Sequence, residues 1–236
     1  MRDKKPYGND DYKRNDSKFE EFCEKILTFL LVHANIVVFF LEHASSVRLG
    51  YMNWIIAGLG NPGKEYEGTR HNVGREFLMA IEKKEGEKGK LFGKKVTIVT
   101  PDTYMNNSGA AFKKLVTSKK QAEQFVVLQD ELDLPLGKVK LSFGSSSGGH
   151  NGINSIHKAL KTKDFVRIRI GISPSTPSGK LKKPTGEEDV VDFVLGKFKP
   201  TEQDKLKKAK KLVRDALELL VTEGRDKATM EIHSRQ

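Results

Sequence analysis

Hydrophobic and polar positions along the chain follow two alternating periods, one typical of strands and the other of helices. Short apolar runs bounded by polar or glycine-rich segments indicate buried β-strands. Five such runs are separated from one another along most of the chain. The strands are predicted over 54–59, 95–100, 125–129, 138–143 and 165–172.

Between these strands the apolar residues recur at the spacing of an amphipathic helix. Val73, Phe77 and Ile81 mark one face of a helix predicted over 71–84. Strands that alternate with helices predict one α/β sheet covered on both faces, in a single domain. Further helices are predicted over 109–118 and 151–160, and from an N-cap at Thr201 to about residue 221, with a loop over 173–186.

Residues 1–51 do not share this alternation. Residues 1–22 are polar, which favours disorder. The apolar run 26–41 has 16 residues and is interrupted by a histidine and an asparagine, whereas a bilayer span needs about 20. We therefore interpret 1–51 as an extension outside the domain 52–236, with Met52 as the preferred start. A membrane-anchoring leader is the alternative.

Charge separates the same two parts of the chain. The 236 residues carry a net charge of +11, and because residues 1–51 contain equal numbers of basic and acidic residues, all of it falls in 52–236. This excess predicts a polyanionic partner such as nucleic acid, although a merely basic protein would also fit. The single cysteine, Cys23, excludes a disulfide framework and is consistent with a reducing cytoplasm.

Two glycine-rich segments match motifs of other enzyme classes only in part. Gly58–Gly63 has the G-x-G-x-x-G spacing of dinucleotide-binding folds. Pro62, however, disfavours a helix that begins inside the motif. Gly144–Gly148 matches the G-x-S-x-G elbow of serine hydrolases, but further glycine separates Ser146 from the next helix. A loop that binds a phosphate or a ribose fits the second segment better.

Polar residues follow several predicted strands, and ligands of open α/β sheets gather at the carboxyl ends of strands. His71 is a candidate general base, and Asp130 is the candidate partner that orients its ring. Glu131 is the competitor, but it should point to the other side of its strand. A helix-capping histidine and a turn-forming aspartate would explain the same two residues without catalysis.

Three asparagines, Asn61, Asn106 and Asn151, occupy comparable positions after strands. Each amide both donates and accepts hydrogen bonds, so such residues can hold a carbonyl or peptide group. No thiol or hydroxyl is as well placed to act as the nucleophile, so we expect an activated water to attack the substrate. The sequence contains no zinc or EF-hand pattern, and no metal or cofactor is predicted.

Taken together, these segments resemble the bacterial peptidyl-tRNA hydrolase family. The motifs stand in the family's order and cover about 52–225: GLGNPGKEYEGTRHNVG, PDTYMNNSG, DELDLPLGKVKL, GGHNGINSI, RIRIGI and VVDFVLGKF. The resemblance implies a phosphorylase/hydrolase-like α/β domain with a twisted, mixed, mostly parallel sheet. It also implies hydrolysis of the ester between a stalled peptide and the tRNA 3′ ribose. We expect a cytoplasmic monomer without a stable membrane partner.

The resemblance also implies a role for each motif residue. His71 would activate water, Asp130 would keep its imidazole basic and oriented, and Asn61 would distinguish a peptidyl from an aminoacyl group. The remaining positions would contact the tRNA end or the peptide or border the site: Tyr66, Tyr104, Met105, Asn106, His150 and Asn151.

The chain departs from the family at three places. The stretch between the first helix and KKVTIVTP is short, so a hairpin or edge strand is expected to be trimmed. Ser142 stands where a second basic residue is common, and the basic residue expected after Ile172 is missing. Phosphate contacts are predicted for Lys140, Arg167 and Arg169, and the lysines of 205–214 are either a tRNA contact or a solvated helix face.

Two other functions stay open on the residues alone. A non-catalytic RNA-binding protein of the same fold would keep the basic surface, and a serine esterase would use Ser146. The complete set of His71, Asp130 and asparagines favours the hydrolase.

Overall fold

The computed structural model describes residues 53–236, so the predicted extension 1–51 and the choice of Met52 as the start lie outside the described residues. Seven strands form one sheet in the order β2-β3-β4-β1-β5-β7-β6. They are β1 (Trp54–Gly58), β2 (Gly86–Glu87), β3 (Lys90–Leu91), β4 (Lys94–Val99), β5 (Phe125–Pro135), β6 (Val139–Phe143) and β7 (Val166–Ser173).

The four central strands β4, β1, β5 and β7 are parallel, and the pairings toward both edges are antiparallel. This arrangement confirms the predicted mixed sheet with a parallel centre. The hairpin expected to be trimmed is present, but β2 and β3 have only two residues each.

Helices cover both faces of the sheet, as predicted. Alternate residues of β1 show why: Ile56 belongs to one buried cluster and Ile55 to the other. The helices are α1 (Val73–Glu85), α2 (Gly109–Phe112), α3 (Lys119–Glu123), α4 (Asn151–Leu160), α5 (Glu187–Leu195), α6 (Gln203–Glu223) and α7 (Arg225–Ser234). The first cluster includes residues of α1, α6 and α7, and the second includes residues of α2 and α4.

The sequence prediction was wrong at several boundaries. The helix predicted over 109–118 is interrupted, because Ser118 caps the separate helix α3 by accepting a hydrogen bond from the Gln121 amide at 3.2 Å. Thr201 is not an N-cap, since it lies inside a 3₁₀ turn over Pro200–Glu202 that precedes α6. Helices α5 and α7 were not predicted.

The glycines after β1 allow close packing rather than dinucleotide binding. A Cβ atom at Gly58 would lie 2.7 Å from the Gly74 carbonyl oxygen of α1, a distance that real side chains do not tolerate. The segment after Gly63 forms a 3₁₀ turn over Lys64–Tyr66, and α1 begins only at Val73. No helix starts inside the motif, which the dinucleotide fingerprint requires.

Strand β5 is longer than predicted and carries the centre of the site. It continues to Pro135 rather than ending at residue 129, with a shift of register after Glu131. Asp130 therefore lies within the strand, beside Ile170 of β7. Within residues 53–236, no helix has both the length and the hydropathy to cross a membrane.

Candidate active site

A buried carboxylate, that of Asp130, lies between two histidines. One of its oxygens, Oδ1, is 2.9 Å from Nδ1 of His71 and 3.0 Å from Nε2 of His150. The carboxylate is 4% exposed and the His71 ring 13% exposed, so this contact is largely shielded from bulk water. The structure thus brings His71 and Asp130 together, as the sequence analysis expected.

The local backbone fixes the tautomer of His150. As the N-cap residue of α4, it accepts hydrogen bonds at Nδ1 from the amides of Gly152 at 3.1 Å and Ile153 at 3.4 Å. A neutral imidazole that accepts at one nitrogen carries its proton on the other. Nε2 therefore donates to Asp130, and both ring nitrogens of His150 are engaged.

His71 uses only one ring nitrogen in the same way. It sits in a 3₁₀ turn over Arg70–Asn72 just before α1, and its Nδ1 donates to Asp130. This assigns the lone pair to Nε2, on a ring that lines a cavity of the site. An unprotonated imidazole nitrogen at a cavity wall has the geometry of a general base.

Electrostatics favour this arrangement. Burial lowers the pKa of His71, but the charge of Asp130 and its hydrogen bond outweigh burial and raise that pKa above its ordinary value. For Asp130, burial alone would raise the pKa of the carboxyl, but the two histidines hold that pKa well below its usual range. The carboxylate is therefore ionised and makes the neighbouring His71 a stronger base.

Arg70 ties the histidine turn to a distant part of the chain. Its guanidinium makes a bidentate pair with Glu202 at 3.1 and 2.8 Å and donates to the carbonyls of Gly196 and Lys197. It also lies 4.6 Å from the ring centroid of Phe193. These contacts hold the His71 turn against the segment that follows α5.

Hydrogen bonds with the Asn72 side chain hold both backbone polar groups of Asn61 in place. Its backbone N–H donates to Oδ1 of Asn72 at 2.8 Å, and its carbonyl accepts from Nδ2 of Asn72 at 2.9 Å. Its own side-chain Oδ1 accepts from the Met105 amide at 2.7 Å. Because the oxygen is used, Nδ2 is the group of Asn61 that is left to face a ligand.

A cavity of about 650 Å³ opens beside His71. Its polar wall contains Asn61, Asn106, His150 and Asn151, and Met105 is buried beneath it. An apolar wall comes from helix α5. Its residues Val190, Val191, Val194 and Leu195 were missed by the sequence analysis.

The signal for this wall is present in the sequence. Val191 and Leu195 are four residues apart, which puts them on one helical face, and both are exposed although apolar, at 45% and 39%. Apolar side chains left in solvent at that spacing, within a short amphipathic helix, indicate a face that a ligand can cover.

The two tyrosines lie together at the mouth of the site. Tyr104 lines the cavity and is 58% exposed, and its ring meets the edge of the Tyr66 ring with centroids 6.2 Å apart. Tyr66 does not line the cavity itself. The structure therefore brings the predicted set together, and Tyr66 adjoins the cavity through its contact with Tyr104.

The three cations predicted to bind phosphate have different surroundings. Arg167 is 2% exposed and donates to the Ser145 hydroxyl and the Ser146 carbonyl. Burial and the charge of Arg169 lower its pKa to about 10. The buried guanidinium braces the loop before α4, so it does not offer a free phosphate contact.

Arg169 and Lys140 lie opposite each other on β7 and β6. Arg169 pairs with Glu131 at 2.6 Å, which also explains why Glu131 does not compete for His71. Lys140 is exposed and has no ion-pair partner among residues 53–236. Of the predicted clamp, Lys140 is the cation most available to solvent.

The serine alternative finds no support in the geometry. Ser146 is exposed, and seven loop residues separate β6 from α4. Within the described part of the chain, its hydroxyl has no hydrogen bond to a histidine or an acid. An elbow nucleophile needs both a sharp turn into a helix and an adjacent base.

The histidines and the aspartate could in principle hold a metal, since their ligand atoms lie within 4.8 Å of one another. The tautomer of His150 argues against it: Nε2 carries the proton that Asp130 accepts, so it has no lone pair for an ion. The donor set does not fit a metal centre without breaking the cap of α4. The expectation of a metal-free site stays a prediction.

Comparison with known proteins identifies the family. The family model for peptidyl-tRNA hydrolase matches residues 55–236. Peptidyl-tRNA hydrolase of Dehalococcoides mccartyi is 40% identical over 193 residues, which is 76% of this chain and 99% of the relative. That of Aquifex aeolicus is 42% identical over 182 residues, covering 70% of this chain and 90% of the relative.

The fold agrees with the sequence match. The crystal structure of peptidyl-tRNA hydrolase from Acinetobacter baumannii superposes with a TM-score of 0.66 at 33% identity, over 77% of this chain and 94% of the other. The predicted resemblance is therefore confirmed across the described domain. The chain belongs to the peptidyl-tRNA hydrolase family.

Proposed function

We propose that this protein hydrolyses the ester that joins a peptide to the 3′ ribose of tRNA, with His71 as the general base. The observation that carries the proposal is the free Nε2 of His71 beside a cavity, on a ring whose other nitrogen is held by buried Asp130. A water placed between Nε2 and the ester carbon would lose its proton to His71 as it attacks. The bond from the ester carbon to the ribose oxygen would then break, and that oxygen would leave as the tRNA hydroxyl with the proton that His71 returns.

The neighbouring amides support the choice of substrate. With its oxygen engaged by Met105, Asn61 presents an N–H donor, which would donate to a substrate carbonyl. A peptidyl group has such a carbonyl before its last residue, whereas a free aminoacyl group has an ammonium that only donates. Asn61 would thus favour N-acylated substrates, and Asn106 and Asn151 would hold the ester end.

The cavity shape fits a peptide of varied sequence. The valines and leucine of α5 offer apolar contact without directional hydrogen bonds, so they would accept many side chains. Tyr104 and Tyr66 at the mouth would stack on a base or pack on the peptide. The proposal needs no cofactor or metal, and places the protein in the cytoplasm as a monomer.

The test is an assay of two substrates that differ only at the amino group. We expect the purified protein to release tRNA from N-acetyl-aminoacyl-tRNA and to leave the matching aminoacyl-tRNA intact. The rate should be unchanged after incubation with a chelator and with a serine-directed reagent. Binding of both RNAs without hydrolysis of either would contradict the proposal and would favour the RNA-binding alternative.

A further inference from the structure

A second basic groove lies on the far edge of the sheet, between the turn that precedes β6 and one side of α6. It has a volume of about 540 Å³. None of the residues assigned to the hydrolytic site contributes to it. It is lined by Leu136, Gly137, Lys138, Lys205, Lys208, Lys211, Leu212, Asp215, Arg235 and Gln236.

Positive charge dominates this groove. Its anions are engaged: Asp215 contacts Arg214 at 3.2 Å and Arg235 at 3.3 Å, and the terminal carbonyl oxygen of Gln236 accepts from Lys138 at 2.7 Å. The three lysines of α6 that line the groove have no such partner. Within residues 53–236, no ion pair is formed by Lys205, Lys208 or Lys211, and all three are exposed.

The spacing of these lysines explains why they share one groove. Residues three apart lie on the same side of a helix, and each step of three advances about 4.5 Å along the axis. Lys207 and Lys210, on the same helix, are also exposed but do not line the groove, and Lys207 pairs with Asp204 at 3.4 Å. The groove therefore presents a short row of unpaired ammonium groups.

The register of the sheet puts the Lys138 end of the groove near the hydrolytic site. Asp130 pairs with Ile170, and Ile170 pairs with Val139. Two strand spacings separate Asp130 from Val139, about 10 Å. Lys138, which lines the groove, is the residue before Val139, so the groove begins one residue from this point of the sheet.

We propose that this groove binds the phosphate backbone of the tRNA body while the 3′ end occupies the cavity beside His71. This inference rests on the proposed function and extends it to a second contact. Lysine is a point-charge partner for phosphate and reads no bases. The open row of exposed ammonium groups suits successive phosphates of a helix, whereas a small anion would need convergent buried donors, and the groove has none among its residues.

Two double variants of α6 test this inference because they remove equal charge. Lys208→Gln/Lys211→Gln removes two of the unpaired charges of the groove, and Lys207→Gln/Lys210→Gln removes two charges from the neighbouring face. We expect the groove variant to raise KM for full-length peptidyl-tRNA with kcat unchanged. The slope of log KM against log salt should fall by about 2, one for each lost lysine–phosphate contact.

A short substrate separates this groove from the hydrolytic site. The 3′-peptidyl ester of adenosine has no phosphate to place in the groove, so we expect both double variants to cleave it as the unmodified protein does. Equal salt slopes for the two variants, with hydrolysis intact, would overturn the groove and leave the proposed function standing. An unmodified protein that cleaves neither substrate would instead overturn the proposed function, and salt titration of tRNA binding would still compare the two faces.

Discussion

Two histidine-bearing turns meet at Asp130, and they differ in what the backbone leaves free. His71 and His150 contact the same carboxylate oxygen at 2.9 and 3.0 Å, and their rings are 5.1 Å apart. Only His150 caps a helix, however, and the cap consumes its second nitrogen. Equal distances to one acid therefore do not give equal chemistry, since the other ring nitrogen decides which histidine can take a proton.

The two turns are also held by different means. His150 is held by the helix that it caps, through amides two and three residues away. The turn of His71 is held by side chains far along the chain, because Arg70 pairs with Glu202 across 132 residues. The base is thus supported by tertiary structure, whereas its neighbour is supported by local structure.

The strongest test of this difference is the loss of the base. We expect His71→Asn to lower kcat by about 10²–10⁴-fold, the usual contribution of a general base, because no other imidazole nitrogen among the cavity-lining residues described is left without a partner. Affinity for tRNA should be unchanged in a direct binding assay, since Lys140 and α6 are untouched. Parallel loss of binding and hydrolysis would mean that His71 organises the fold rather than the reaction.

Replacing the shared acid should have the next largest effect. Asp130→Asn keeps an oxygen for both histidines but removes the charge, and we expect kcat to fall about 10²-fold, at the lower end of the same range. The base must be neutral to act, so activity rises with pH through the pKa of His71. In the unmodified protein that pKa is raised by Asp130.

The direction in which the pH profile shifts tests the role of the Asp130 charge. Without the charge of Asp130, which opposes burial more strongly than the hydrogen bond does, burial lowers the pKa of His71. The acid limb of kcat/KM should therefore move to lower pH while the plateau falls. A lower plateau with the acid limb in its original place would show that Asp130 only holds the rings in position.

The sequence predicted the two residues of this pair because each stands at a recognisable boundary. Asp130 follows an apolar run, and His71 precedes an amphipathic helix, so the carboxyl edge of a parallel sheet should bring them together. The engagement of both nitrogens of His150 was beyond prediction, since it depends on the cap geometry of α4. Nor does any local pattern link Arg70 to Glu202.

The two arginines predicted to contact phosphate show the same limit of prediction from sequence. Strand alternation predicts that Arg167 and Arg169 share one face. It does not predict that the loop containing Ser145 folds over the first guanidinium, or that Glu131 pairs with the second. Local periodicity therefore gave the side of the sheet, and long-range contacts decided which charges stay available to a ligand.

The smallest expected effect comes from the histidine that is not the base. His150→Asn preserves a side chain that caps helices well but gives up the hydrogen bond that His150 donates to the Asp130 carboxylate. We expect kcat to fall only about fivefold, the equivalent of about 1 kcal/mol, because the base and the charge of Asp130 are both kept and the acid limb of the pH profile is still set by His71. The measurement is the same kcat/KM profile used for Asp130→Asn. If the loss instead matched that of His71→Asn, both nitrogens of His150 could not be structural, and the two turns would have to share the work of the base.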